Sequence, residues 1–457
     1  MRKLLIRNAT VITMEPKPGD LLSADILIEG EKISGVGTQL VASDAELIDG
    51  RPFIVIPGIV NAHMHTWQTG LRGLSADWTL LEYFRRFHAG FATRFRPEDI
   101  YIAELVGALN QLNCGTTTLV DWCHNNPTPA HTDAAIDALG NSGIRAAFFH
   151  GSPKPDPKPG EPHFSEVPHP RKEVERLLRG RFGSRDQLLT LGLAILGPHY
   201  STLDASLHDF KLAREFDLIA SMHVGGPAAK TPGGWDVLEK QGLVGDFVNI
   251  VHGNSLEDDR VARFVDLGVK FTVSPEVEMA AGHGHPMIGQ VRKSGGSPSL
   301  GVDLESMVSG EMLMVARIGL AHQRAMDNAS YRAATGGIPN STITAREALA
   351  WITLEGARML KMEDWIGSIA PGKQADLVFI RADALNLWPV HDPVSTVLMQ
   401  ASLVNIDSVM VAGEWKKRDG KLLYGGIDRL KIDLENSATR ILTEVGLKPE
   451  GALQARH

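Results

Sequence analysis

The sequence predicts an α/β protein, a (β/α)8 TIM-like barrel with a small β-sandwich domain built from both chain ends. Three observations carry this. Apolar runs of strand length alternate with helix-spaced stretches through the middle of the chain, eight times over. Most of those runs end in a ligand-type side chain. The two ends of the chain read instead as short strands punctuated by Gly and Asp. A length of 457 residues suits a barrel of roughly 250–300 residues plus an accessory domain.

Residues 1–57 carry "KLLIRNATVIT", "ADILIEGEKISGVG", "AELIDG" and "FIVIP", with no helical period, and form the first part of the β-domain. Residues 58–366 are the barrel. Its strand candidates are "GIVNAHMH", "TTTLVD", "IRAAFFH", "LTLGLAILGPH", "DLIASMH", "FVNIVH", "VKFTVS" and "PSLGVD". Between them lie helix candidates such as "PEDIYIAELVGALNQL" and "LEDDRVARFVDLG". Near-continuous apolar strands separated by helices indicate a parallel sheet covered on both faces. An open doubly wound sheet is the rival, but no glycine-rich phosphate turn follows the first strand. The Pro-rich stretch 151–184 reads as a long loop over the barrel mouth, then a helix. Residues 367–426 return to the β-domain, and 427–457 form a helical tail.

Composition excludes several classes. A net charge of -8 without a basic stripe argues against nucleic acid, and no apolar run is long enough for a membrane span. The start "MRKLLIRNATVITM" is a poor signal peptide, because Arg7 and Asn8 break its apolar stretch. Cys114 and Cys123 are the only cysteines, which leaves no disulfide framework and makes a reducing cytoplasm the expected location. A metal here would sit on nitrogen and oxygen.

The strand candidates end in His65, Asp121, His150, His199, His223, His252 and Asp303. A barrel gathers those ends at one mouth, where active sites form. His63 and His65 lie two apart on a strand and so point to one face. With His223 and Asp303 they make a set of imidazole and carboxylate donors that suits one Zn²⁺, or Fe²⁺, with a position left for water. Such an ion lowers the pKa of its water from about 15.7 towards 7. His252 would orient that water or shuttle its proton.

The stretches "PGIVNAHMHTWQTGLRG", "GTTTLVDW", "SMHVGG", "VHGNSL", "SLGVDLES" and "GSIAPGKQADLVFI" stand in an order that resembles the amidohydrolase superfamily, in its cytosine deaminase-like, guanine deaminase-like and chlorotriazine hydrolase-like branch. The resemblance covers most of residues 1–425. It implies His63, His65 and His223 as metal ligands, Asp303 as ligand and general base, and His252 as a hydrogen-bond partner of the attacking water. It implies a small-molecule substrate and a homo-oligomer. Binuclear members use a carboxylated lysine at the end of the fourth strand, and "LTLGLAILGPHY" has none, so one metal is expected. His199 at that strand end would touch substrate instead.

Two departures matter. Deaminases of this branch usually read His-x-x-Glu after the fifth strand, where the glutamate carries protons to the leaving amine. Here that position is Gly226. After the seventh strand relatives carry "N-P-x-S-N", whereas this chain has "SPEVEMAAGHGHP". Glu278 takes the asparagine position, and Glu276, two before it, is expected on the same face. Either could replace the missing proton carrier. Gln68 matches a substrate-facing position in relatives, and Trp67, with Trp78 and Phe84, could line an aromatic pocket for a planar ring. The expected reaction is therefore hydrolysis of a C–N bond in a small nitrogen heterocycle or aromatic amine. A hydrolytic dechlorinase, whose leaving group needs no protonation, is the alternative. A third reading is a metal-binding relative without catalysis.

Overall fold

The computed structural model describes residues 2–447, apart from 185, 227 and 338. Its strands fall into three groups along the chain. The first is β1 (Lys3–Val11), β2 (Leu21–Glu29), β3 (Lys32–Gly37), β4 (Glu46–Asp49) and β5 (Phe53–Pro57). The middle supplies β6 (Ile59–Met64), β7 (Thr116–Cys123), β8 (Arg145–Gly151), β9 (Leu189–Ala194), β10 (Ala220–Val224), β11 (Val248–His252), β12 (Lys270–Val273) and β13 (Ser299–Leu300). The last is β14 (Leu377–Arg381), β15 (Ile406–Val411), β16 (Glu414–Arg418) and β17 (Lys421–Leu422).

The middle group forms one eight-stranded parallel sheet in sequence order. Strands such as "TTTLVDWC" are buried on both faces, inside the sheet and under the helices, so they lack polar alternation. Helices Pro97–Asn113, Pro129–Ser142, Leu203–Glu215 and Asp258–Asp266 connect them. The sheet closes where Met64 bridges Asp303. There the His65 N–H donates to the Asp303 carbonyl at 2.8 Å, and the Asp303 N–H donates to the His63 carbonyl at 2.9 Å. The barrel seam therefore runs through three of the expected metal ligands.

The outer two groups make a mixed nine-stranded sheet, joined where β5 pairs antiparallel with β14, Val55 opposite Phe379. Leu4, Ile6, Ile26, Val55, Leu377 and Phe379 belong to its apolar core. Arg145, which opens β8 in the barrel, donates from Nε to Asp376 Oδ2 at 2.8 Å. Asp376 Oδ1 also accepts the Ala412 N–H at 2.6 Å. Both partners of the ion pair are buried, so this aspartate of "QADL" fastens the two domains through matched charges and bonds. Helix Ile427–Glu444 packs on Pro97–Asn113, and residues 448–457 of the expected tail lie outside the described ones.

No described helix is long and apolar enough to cross a membrane. Two local expectations change. The fourth strand stops at Ala194, and His199 sits in a one-turn helix, Gly197–Tyr200. The stretch after the seventh strand is not extended but opens a helix, Pro275–Ala281, with proline in its first turn.

Candidate metal centre and catalytic cavity

His63, His65, His223 and Asp303 each bring one donor atom into a group whose members all lie within 4.8 Å of one another. His63 Nε2 stands 3.2 Å from His223 Nε2 and 3.3 Å from Asp303 Oδ1, and His65 Nε2 stands 3.5 Å from the same oxygen. Ligands about 2.0–2.1 Å from one ion and near tetrahedral angles are about 3.3–3.4 Å from each other, so these three separations suit ligands that share one zinc ion. The tautomers fit as well. His65 donates its Nδ1–H to the Trp122 carbonyl at 2.7 Å, which leaves the Nε2 lone pair aimed at the centre.

Charge state agrees with that geometry. Burial lowers His63 and His223 and takes His65 down to about 3, so all three imidazoles are neutral. Burial alone would raise Asp303, but the hydrogen bond with His63 and, next to it, the charge of His252 hold it below the usual carboxylate range. Neutral nitrogens and an ionised carboxylate are the forms a divalent cation binds.

His252, at the end of β11, stands beside this group with Nε2 3.7 Å from Asp303 Oδ2. Its Nδ1 donates to Glu278 Oε1 at 3.0 Å. Burial lowers the imidazole, but the Glu278 bond and the charges of Asp303 and Glu278 outweigh it, and His252 titrates above its ordinary value. His252 and Asp303 both hold left-handed backbone, at φ 67° and 69°. Such strain in non-glycine residues gathers at functional sites.

The glutamates differ from expectation. On a helix, residues two apart point to different sides. Glu278 is fully buried behind His252, where it also accepts the Ser274 N–H at 2.8 Å and Asn254 Nδ2 at 3.3 Å. Glu276 is half-buried and does not line the cavity. The Ser-Pro pair ahead of "EVEM" is a helix-start signal that would have placed them correctly.

The cavity opening onto the centre also corrects the expected substrate contacts. Its walls include Phe84, Lys154, Tyr200, His283 and Met307. Trp67 is instead core, packed edge-on against Phe87 and Phe95, and its Nε1–H donates to His124 Nδ1 at 3.1 Å. Gln68 lies under the wall, donating to the Tyr83 hydroxyl at 2.5 Å and accepting from Ser306 at 3.1 Å. Trp78 stacks on Phe91. His199 is buried next to the wall, and its neighbour Tyr200 is the residue that lines it. Lys154 and Tyr200 were not expected, since a lysine among prolines carries no periodic signal.

Gly226 has φ +84°, and a Cβ there would meet Leu80 Cδ2 at 2.7 Å. Leu80 thus occupies the space into which a side chain at Gly226 would project. A second buried group, Glu104, Asp121 and Cys123, lies behind the ligand strands. Asp121 Oδ1 accepts the Thr66 N–H at 3.4 Å, and burial raises both carboxyls.

Three neutral imidazoles, one carboxylate and a carboxylate-backed histidine at the C-terminal mouth of a barrel define a metal-dependent hydrolase. Residues 54–416 match the amidohydrolase family, and the chain belongs to it. It is 27% identical to a 5-methylthioadenosine/S-adenosylhomocysteine deaminase of Symbiobacterium thermophilum, over 97% of this chain and 100% of that one. It is 24% identical to a 5'-deoxyadenosine deaminase of Methanosarcina barkeri over the same shares. Among solved structures, the atrazine chlorohydrolase TrzN of Arthrobacter aurescens complexed with zinc superimposes with a TM-score of 0.83, at 24% identity, covering 95% of this chain and 100% of that one. An adenosine deaminase of Xanthomonas campestris with bound zinc gives 0.82 at 22%, covering 97% and 99%. These structures share the fold.

Proposed function

We propose that this hydrolase breaks a C–N bond of a small nitrogen heterocycle or aromatic amine, releasing ammonia or an amine, and that it works with one divalent ion, zinc in the first instance. The observation that carries the reading is the convergence of His63, His65, His223 and Asp303, whose donor atoms lie within 4.8 Å of one another, beside the His252–Glu278 pair. The curated relatives named above are deaminases of adenosine derivatives, which supports the leaving group. The fourth strand offers no lysine for a second ion.

A divalent ion at this set supplies Lewis acidity that makes water nucleophilic near neutral pH. The remaining work falls to the chain. Asp303 Oδ1 faces His63 and His65, while Oδ2 faces His252 and accepts the proton of the attacking water. His252 Nε2 relays that proton to the departing amine, in place of a glutamate at Gly226. Glu278 is a positioning residue, holding the His252 Nδ1–H and stabilising its cation. Phe84 and Tyr200 flank a planar ring.

Gly226 also supports a second reading, in which a halide leaves and needs no proton. A panel of aminopurines, aminopyrimidines, pterins and aminotriazines, with their chloro analogues, separates the two. Ammonia release supports the first. Chloride release without ammonia from any amino analogue replaces it with the second. The protein is further read as a cytoplasmic homo-oligomer, which light scattering tests for assembly.

A further inference from the structure

Lys154 is the lysine of the cavity wall, and no group in the mechanism above uses it. The residue is 7% exposed. Its Nζ lies 5.6 Å from the ring centre of Trp122, 5.7 Å from Tyr200 and 5.9 Å from Phe84. These rings come from three separate segments, and two are pinned. Trp122 Nε1 donates to Ser221 Oγ at 3.1 Å, and the Tyr200 hydroxyl donates to the Gly225 carbonyl at 2.6 Å. Ring faces attract an ammonium but accept none of its three N–H donors as an oxygen would.

Among the described residues Lys154 has neither a carboxylate partner nor a hydrogen-bond acceptor. Asp303 is the acidic side chain of the wall, and its oxygens face His63, His65 and His252. The wall histidines His88, His124 and His283 are kept neutral by burial. Burial brings Lys154 down to about 8, so it remains a cation at neutral pH. An ammonium held between ring faces, with its donors open to the cavity, is a ready partner for an arriving anion.

We propose that Lys154 anchors a carboxylate borne by the substrate, so that the site takes anionic, carboxylate-bearing heterocycles or aromatic amines in preference to neutral ones. This rests on the reading of the cavity as the substrate site. It specifies the part of the molecule remote from the reacting carbon.

The test is calorimetric binding of matched pairs, orotate against uracil and 4-aminobenzoate against aniline, to zinc-loaded and zinc-depleted full-length protein. Wild type should favour the carboxylate in at least one pair by about tenfold or more. Lys154→Met should abolish the preference and leave the affinity for the neutral partner unchanged, which also shows that the variant is folded. Lys154→Arg should restore most of it. Zinc depletion should leave a Lys154-dependent preference. The proposal is overturned if wild type shows no preference, if Lys154→Met keeps it, or if it disappears with zinc alone. It is equally overturned if Lys154→Met changes only the turnover of neutral substrates, since Lys154 would then be a proton donor. Failure of the aminohydrolase reading shows separately, as absence of bound zinc or of ammonia release.

Discussion

Glu278 Oε1 lies 3.0 Å from His252 Nδ1 and accepts the Ser274 N–H at the same time, so the carboxylate is locked to the backbone that ends β12. Helix Pro275–Ala281 begins at once after that strand and carries Glu278 behind the imidazole rather than into the cavity. The carboxylate raises the titration of His252 and fixes which nitrogen meets Asp303.

Glu278→Gln keeps the shape and removes the charge. Turnover should fall roughly ten- to hundredfold, the cost of losing an outer partner of a working histidine. The limb of the pH–rate profile that belongs to His252 should move to lower pH, because the bond that raises it is weakened. Zinc content should stay at that of wild type. An unmoved limb together with unchanged turnover would remove Glu278 from the mechanism.

His63 is the hub of the ligand set, since its Nε2 lies within 3.3 Å of both His223 Nε2 and Asp303 Oδ1. His63→Ala should take zinc from one equivalent per chain to near none by elemental analysis. Gly301 tests the same hub from behind. A Cβ there would stand 2.5 Å from the His63 carbonyl oxygen and 2.7 Å from its Cβ. Gly301→Ala should therefore weaken zinc retention against a chelator with every ligand still present. Retention equal to wild type would show that the seam does not set the ligand geometry.

The acidic pair behind the ligands predicts a pH dependence of stability. Glu104 and Asp121 are both fully buried, and burial raises both, with Asp121 adding to the rise of Glu104. The folded protein thus keeps protons that the unfolded chain releases above about pH 4. Stability is then complete below that pH and declines as pH climbs towards the raised folded values. Asp121→Asn removes one titrating group and should flatten that decline in urea melts between pH 4 and 7. A decline as steep as in wild type would assign it elsewhere.

Much of this site is legible in the linear chain, for a physical reason. Parallel strands buried on both faces read as uninterrupted apolar runs, and a barrel collects their ends, so His63, His65, His223, His252 and Asp303 announce themselves by position. What stays hidden depends on loops. Trp67 and Gln68 directly follow the ligand strand, yet a 3-10 turn over Thr66–Leu71 buries them beneath the wall. Lys154 lies in "GSPKPDPKP", where composition suggests solvated chain, and only the three-dimensional path brings it against Trp122 and Tyr200.

Gly226 offers a test of how the cavity works without a side chain at this position. Its φ of +84° suits glycine, and an added Cβ would meet Leu80 Cδ2 at 2.7 Å. Gly226→Ala should cost about 1–2 kcal/mol for the left-handed backbone alone. Leu80→Ala should relieve the contact but not the backbone term, leaving a measurable coupling in the double mutant. The catalytic consequence follows from the same geometry. Gly226→Glu alone would have its carboxylate displaced by Leu80 and should not raise ammonia release. Gly226→Glu with Leu80→Ala opens the space in which that carboxylate could reach the departing amine, and should raise it above the single variant. Equal activity in the two would mean that Leu80 does not block a carboxylate at Gly226 and that His252 alone carries the proton to the departing amine.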